Sequence, residues 1–335
     1  MITLDTRVSA MINPFERERE YRLQKVDSVR RIEFKSSPVI EAYQKYQDYI
    51  KRVLYHKDSP VVRPSLHSLI LSPEEINSFV HIITGEYLEE FLYFNSILEI
   101  EKLDDRVNEA TGHFISRLVQ VSYEKGNNDF KISIDRFNID YLLNELSGTE
   151  DRPIKAEIIG NVGRKFCSDS DFVNIRLIGD SEGGCYNNTE YSELEEIGNT
   201  EECFGFCCEN SILKITGNAD YFCGAYMKNS SLTNIGNVRT DYGNNSFNSG
   251  FILHGDGNLN ELGDESENCH CFLDGIITLE NEKKQEHFRK SSSRFTTTNR
   301  RTYNVLKEQY SRDTDIKLID SSGKIIKQTT PNQKK

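Results

Sequence analysis

Glycine followed by asparagine or aspartate recurs at one fixed interval through the centre of the chain. The pairs are Gly160-Asn161, Gly179-Asp180, Gly198-Asn199, Gly217-Asn218, Gly236-Asn237 and Gly255-Asp256, each 19 residues after the last. Self-similarity at such a period marks stacked, equivalent units rather than a single globular core. Other columns hold the same register. Four residues before the glycines stand Ala156, Ile175, Leu194, Leu213, Leu232 and Phe251; two before stand Ile158, Leu177, Glu196, Ile215, Asn234 and Leu253. Apolar side chains two apart share one face of a strand. Nineteen extended residues span roughly 63 Å, enough for one flattened or triangular turn, and such turns stack strand on strand at ~4.8 Å. Residues 154 to about 280 are therefore predicted to form a parallel β-helix of six or seven coils, roughly 30 Å long. In this reading the glycines supply positive φ at a tight corner, and the Asx side chains bond along the axis.

The repeat carries further marks. Six positions after the first five glycines come Phe166, Cys185, Phe204, Cys223 and Tyr242, and seven after the third to fifth come Gly205, Gly224 and Gly243. The coil Gly217, Asn218, Ala219, Cys223, Gly224, Ala225, Tyr226, Met227, followed by an apolar strand and another Gly-Asn, resembles the GXGXG repeat. That right-handed β-helix is found at the C-terminal end of the glutamate synthase large subunit and in one of the subunits of formylmethanofuran dehydrogenase. Gly160-Asn161-Val162-Gly163 keeps the second glycine of the pattern, whereas Glu182, Glu201, Asp220 and Arg239 replace it in other coils. The resemblance covers residues 154–280. It implies a right-handed coil and a scaffold rather than a catalytic centre; the amidotransferase and flavin-binding parts of glutamate synthase have no counterpart here.

The flanks read differently. Val39, Tyr43, Tyr46, Ile50 and Val53 mark one face of a helix from Pro38 to about His56. Ser72-Pro73-Glu74-Glu75 combines a cap, a first-turn proline and a capping-box glutamate, opening a helix that runs to Thr84-Gly85. A further helix is predicted over Tyr87–Leu103. His113–Tyr123 and Asp129–Ile134, around Gly126-Asn127-Asn128, read as strands, and Asp140–Leu146 as helix. Residues 1–149 are thus predicted to be a mainly helical domain with a short hairpin, capping the β-helix of residues 150–282. Residues 283–335 read as a basic linker and tail, with a hairpin of Ile316–Ile319 and Lys324–Lys327 and a disordered last eight residues. The whole is α+β by domain: an N-terminal mainly α-helical domain, then a right-handed parallel β-helix with 19-residue coils.

Charge is unevenly distributed. Residues 283–335 hold 14 Lys/Arg against five Asp/Glu, while residues 150–282 hold eight against 24. The tail places Phe288, Phe295, Tyr303 and Tyr310 among Arg294, Arg300, Arg301 and Lys307, a composition suited to docking on the acidic centre or to binding nucleic acid through residues 283–312. All eight cysteines fall between Cys167 and Cys271. Neither Cys203-x3-Cys207-Cys208 nor Cys269-His270-Cys271 has a zinc-finger spacing, so the thiols are read as core, with Cys269, His270 and Cys271 the least core-like. Glu193, Glu195, Glu196, Glu201 and Glu202 gather near one corner and read as a solvated acidic face, or as acid/base groups acting on carbohydrate. No HExxH pair, phosphate-binding loop or nucleophile elbow occurs.

No catalytic, cofactor or metal residues are assigned from sequence; the twelve Gly-Asx residues are structural corners. No window approaches the ~18 apolar residues that span a bilayer, and the N-terminus lacks a secretory pattern, so a cytoplasmic protein without membrane contact is expected. The leading expectation is a non-catalytic scaffold for another protein. A carbohydrate-active enzyme and a nucleic-acid binder are the alternatives.

Overall fold

The computed structural model describes residues 37–55, 64–84 (except 67), 105–134, 138–279 (except 260, 261 and 264), 294–310 and 314–330. The predicted helix over 87–103, the stretch 283–293 and residues 331–335 lie outside them.

Helix α1 (Ser37–Tyr55) buries Val39, Ala42, Tyr46, Tyr49, Ile50 and Val53, and helix α2 (Pro73–Thr84) buries Ile76, Phe79, Val80 and Ile83. The capping box closes at the start of α2: Ser72 N donates to Glu75 Oε2 at 2.9 Å, and Glu75 N to Ser72 Oγ at 3.2 Å. Tyr46, Phe79 and Phe114 meet edge-on or tilted at 5.3–5.8 Å, with Tyr46 Oη 2.8 Å from Thr111 Oγ1.

The expected strand over His113–Tyr123 is instead part of helix α3 (Asp105–Glu124), so no hairpin forms there. Its β-branched and aromatic residues mimic a strand. Their burial at Val107, Ala110, Phe114, Ile115, Leu118 and Val119 follows helical spacing, and tertiary packing overrides propensity. The helix lies close on residues 138–148. A Cβ on Gly112 would meet Asp140 O at 1.9 Å. Ser116 Oγ donates to Gly112 O, also lying 3.1 Å from Tyr141 O, and Gln120 bonds both backbone groups of Ser147. The expected helix over Asp140–Leu146 is likewise absent: Tyr141, Leu143 and Glu145 alternate into left-handed φ of 55–57°, which no right-handed helix admits.

From Asp129 onward the chain coils. One sheet contains β1 (Asp129–Ser133), β2 (Ile154–Ile159), β3 (Val173–Ile178), β4 (Glu193–Ile197), β6 (Ile212–Thr216), β8 (Ser231–Ile235), β10 (Gly250–His254), β12 (His270–Leu273), β14 (Arg294–Thr297), β15 (Asp315–Ile319) and β16 (Ile325–Thr329). All its neighbours are parallel except β15–β16, which form the C-terminal hairpin. Gln328 and Thr329, expected to be disordered, belong to β16. The second sheet is β5 (Thr200–Glu202), β7 (Ala219–Tyr221), β9 (Val238–Arg239), β11 (Gly257–Leu259) and β13 (Ile277–Leu279). The chain is a β-solenoid of roughly 19-residue coils with helices on its N-terminal side.

Register is strict. Ala156, Ile175, Leu194, Leu213, Leu232 and Phe251 pair coil to coil, continued by Phe130 before them and Cys271, Phe295 and Ile316 after. All are buried. The glycines stack too: a Cβ on Gly179, Gly198, Gly217, Gly236 or Gly255 would lie 1.8–2.1 Å from the carbonyl oxygen of the glycine one coil earlier. Gly275, after a one-residue insertion and without an Asx, extends the stack. Close approach, not turn conformation, is the main demand at these corners. Gly160, Gly217 and Gly236 have φ of 126–156°, whereas Gly179, Gly198 and Gly255 lie outside the left-handed range that disfavours other residues. Left-handed residues sit instead on the third side, five, seven, nine and twelve positions after the corner, as at Cys203, Gly205, Cys207 and Asn210.

Helix α4 (Arg300–Tyr310) covers the far end. Thr302 Oγ1 accepts from Ile277 N and donates to Gly275 O, and Tyr310 Oη donates to Leu262 O. Among the described residues no helix is long and apolar enough to cross a membrane.

The glycine stack yields a paired test. Gly198→Ala is expected to lower stability by about 2–3 kcal/mol or more through overpacking against backbone. Gly250→Ala, whose added Cβ would have nothing within 4 Å, should be near neutral. Denaturant unfolding of both variants measures the difference.

Candidate functional site

Side chains on this solenoid act in columns, because residues 19 apart stack. The Asx column is a hydrogen-bond ladder. Asn161 Oδ1 accepts from Asp180 N, Asp180 Oδ1 from Asn199 N, Asn199 Oδ1 from Asn218 N, Asn218 Oδ1 from Asn237 N, Asn237 Oδ1 from Asp256 N and Asp256 Oδ1 from Ile276 N, at 2.7–3.0 Å. Two further ladders are not anticipated by the sequence reading. Ser192, Ser211, Ser230 and Ser249 are buried; each Oγ accepts a backbone N–H one coil back and donates to the carbonyl two residues earlier in its own coil. Asn210, Asn229, Asn248 and Asn268 pass amide hydrogen bonds at 2.8–3.3 Å. Both columns are visible at the coil period once polar positions are aligned with the apolar ones.

The acidic group near the corner is dispersed. On the outer face of the large sheet, Glu157 lies between Lys131 (3.5 Å) and Arg176 (3.4 Å), and Glu195 between Arg176 (3.2 Å) and Lys214 (2.7 Å). The Lys214 ammonium holds the Glu195 carboxyl below its usual range. Glu193, Glu201 and Glu202 are exposed, Glu201 in the smaller sheet's strand β5.

Glu196 turns inward. It occupies the core column between Leu177 and Ile215 and is fully buried. Its carboxyl oxygens lie 2.9 and 3.0 Å from Ser181 Oγ, which lies 3.0 Å from Thr200 Oγ1. Burial pushes the Glu196 carboxyl well upward, with Asp180 adding to the effect and Ser181 opposing it. Two coils on, Asn234 occupies the same column with neither side-chain atom hydrogen-bonded among the described residues. These are the two polar lapses of the apolar pattern, and both are interior.

The cysteines hold no converging set. Cys167, Cys185, Cys208, Cys223, Cys269 and Cys271 are buried free thiols, and Cys203 and Cys207 are half-buried. Burial raises their pKa values, Cys208 to about 11. Cys269 and Cys271 face the interior while His270 points outward, 2.9 Å from Thr296 Oγ1. No group of three or more His, Cys, Asp or Glu side chains suited to a metal occurs among the described residues. The tail rings of Phe295, Tyr303 and Tyr310 are buried at the solenoid end, Phe295 and Tyr310 packing at 5.0 Å; Phe288 lies outside the described residues.

One surface concavity is assembled by the repeat itself. A groove of about 740 Å³ runs along the axis beside the Gly-Asx corners. Asn199, Asn218, Asn237 and Asp256 form one wall; Glu201, Asp220, Arg239, Asn258 and Thr278 form the other. Between them pass Thr200, Ala219, Val238 and Gly257. A smaller cleft of about 220 Å³ beside His270 includes Arg294, Asp315 and Lys317.

Comparison with known protein families, curated proteins and solved structures finds no match for this chain.

Because Glu196 has a raised carboxyl value only when folded, the native state holds a proton that the unfolded chain releases. The stability it contributes is fully present below the ordinary value of 4.5 and is lost as pH rises above it. Glu196→Gln removes the ionisation. The stability of the native protein relative to this variant should be flat below that value, then fall with a limiting slope of about 1.4 kcal/mol per pH unit. Chemical unfolding of both proteins across the range from acid to mildly alkaline pH measures it.

Proposed function

We propose that the protein is a non-catalytic β-helix scaffold that binds another protein, its coil right-handed as in the GXGXG repeat it resembles. The observation that carries this reading is the disposition of its reactive groups. Glu195 is neutralised by two cations, Glu196 is sealed inside, and six of the eight thiols are buried. What repeats from coil to coil is mechanical: glycine backbones in close approach and polar ladders. Rigid stacked coils offer extended faces suited to a partner.

The turn-bearing side supports a protein partner. Tyr191 and Phe247 are 52% and 49% exposed there, Tyr226 is comparably open, and Ile212, 57% exposed, opens strand β6 beside them. Phe172 stacks on Tyr191 at 5.0 Å, and Phe206 packs on Tyr226 at 5.0 Å. Aromatic residues held rigidly at the surface are the usual anchors of protein interfaces.

Replacing Tyr191, Ile212 and Phe247 together by serine is expected to leave folding intact and to abolish recovery of a partner that the native protein retains from its own cells. Quantitative co-purification measures this. A partner retained equally by the triple variant, or none retained by the native protein, would contradict the reading.

A further inference from the structure

The axial groove has a geometry that selects its ligand, on a face separate from the aromatic side and independent of any protein partner. Its two walls are columns two residues apart in the chain, ~6.7 Å for extended backbone, and each wall repeats along the axis at ~4.8 Å. The groove is therefore narrow, straight and graduated. It extends over five coils, from Asn199 to Ile276, which is about 19 Å. From these features we propose that the groove binds an unbranched, extended, neutral oligosaccharide, one sugar ring per coil.

Periodicity excludes the other common linear ligands. An extended peptide rises ~3.3 Å per residue, with like side chains ~6.7 Å apart, and drifts out of phase with the coils within two steps. A β-1,4-linked pyranose chain advances by nearly one coil spacing per ring with alternate rings reversed, so equivalent hydroxyls meet equivalent wall positions at every second coil, ~9.6 Å along the axis. Charge excludes anionic chains. Glu201, Asp220 and Asp256 outnumber Arg239, so phosphodiester and uronate polymers meet net repulsion.

The wall chemistry matches hydroxyl groups, which both donate and accept. Glu201 supplies a carboxylate, and Arg239 supplies guanidinium N–H groups, its ion-pair partner among the described residues being Asp220 at 3.9 Å, beyond hydrogen-bond range. On the opposite wall Asn218 spends one Nδ2 hydrogen on Asn199 and its Oδ1 on Asn237 N. Its second amide hydrogen remains for a ligand. The Asx ladder thus fixes this wall without exhausting it, which preorganises the site.

Calorimetric or NMR titration of the full chain with β-1,4-linked glucose oligomers of two to six units tests the proposal. Affinity should rise by about threefold to tenfold per ring, the worth of one net hydrogen bond, up to four or five rings and then level off. The α-1,4-linked hexamer, which curves, and hexagalacturonate, which is anionic, should bind at least about tenfold more weakly. The double variant Glu201→Gln, Arg239→Ala, altered only at exposed side chains, should keep its unfolding midpoint and lose about tenfold or more in affinity. Thr233→Ala, on the large sheet, should change nothing. Absence of binding by the straight hexamer at millimolar concentration, affinity independent of length, equal binding of the curved or anionic chain, or insensitivity to the double variant would each overturn the proposal.

Discussion

The constraint on which the solenoid depends is the close approach of one coil's backbone to the next. Along the Gly-Asx corner each glycine sits where a β-carbon would collide with the carbonyl of the coil before it. That column is therefore restricted to the one residue without a side chain, and its restriction fixes the register of everything else. A slip of one position would place Asn161, Asp180 or Asn199 into the contact and reverse the faces of every strand. The apolar column from Phe130 to Ile316 and the buried serines are in register because the glycines are.

Polar ladders perform a second task. A solenoid exposes backbone at its corners, where hydrogen bonding between strands weakens. Asx side chains accept the N–H of the following coil at one corner, and serine hydroxyls accept that of the preceding coil inside. These bonds satisfy groups that would otherwise be costly to bury. The interior still admits two departures. Glu196 finds Ser181, which in turn lies against Thr200, and burial raises its carboxyl well above the usual range. Asn234 finds no partner among the described residues, a deficit of about 1–3 kcal/mol that the rest of the stack must offset.

The repeat is legible in the sequence because identical environments select similar residues at a fixed interval. Legibility ends where one of those conditions fails. The coil that begins at Asp129 is hidden because its next strand follows after 26 residues and lacks the glycine. Gly275 is hidden by a single inserted residue. Helix α3 resembles a strand in sequence because Ile115, Val119 and Val121 favour strands locally, while burial around Gly112 and Ser116 decides the outcome. The role of the corner glycines escapes sequence reading for another reason: composition marks a glycine, but only the neighbouring coil reveals whether conformation or space demands it. The candidate groove escapes on the same grounds: Glu201, Asp220 and Arg239 are marked in sequence only as a column that departs from a glycine pattern, and the neighbouring coils alone reveal the concavity they line.

Residues 19 apart in the solenoid stand one strand spacing apart along a single axis. Nitroxide labels at positions 157 and 233, and at 157 and 252, occupy the outward column of the large sheet four and five coils apart. Pulsed electron resonance should give two narrow distributions near ~19 and ~24 Å, differing by one strand spacing. Broad distributions, or distances that do not grow with the number of intervening coils, would contradict the account.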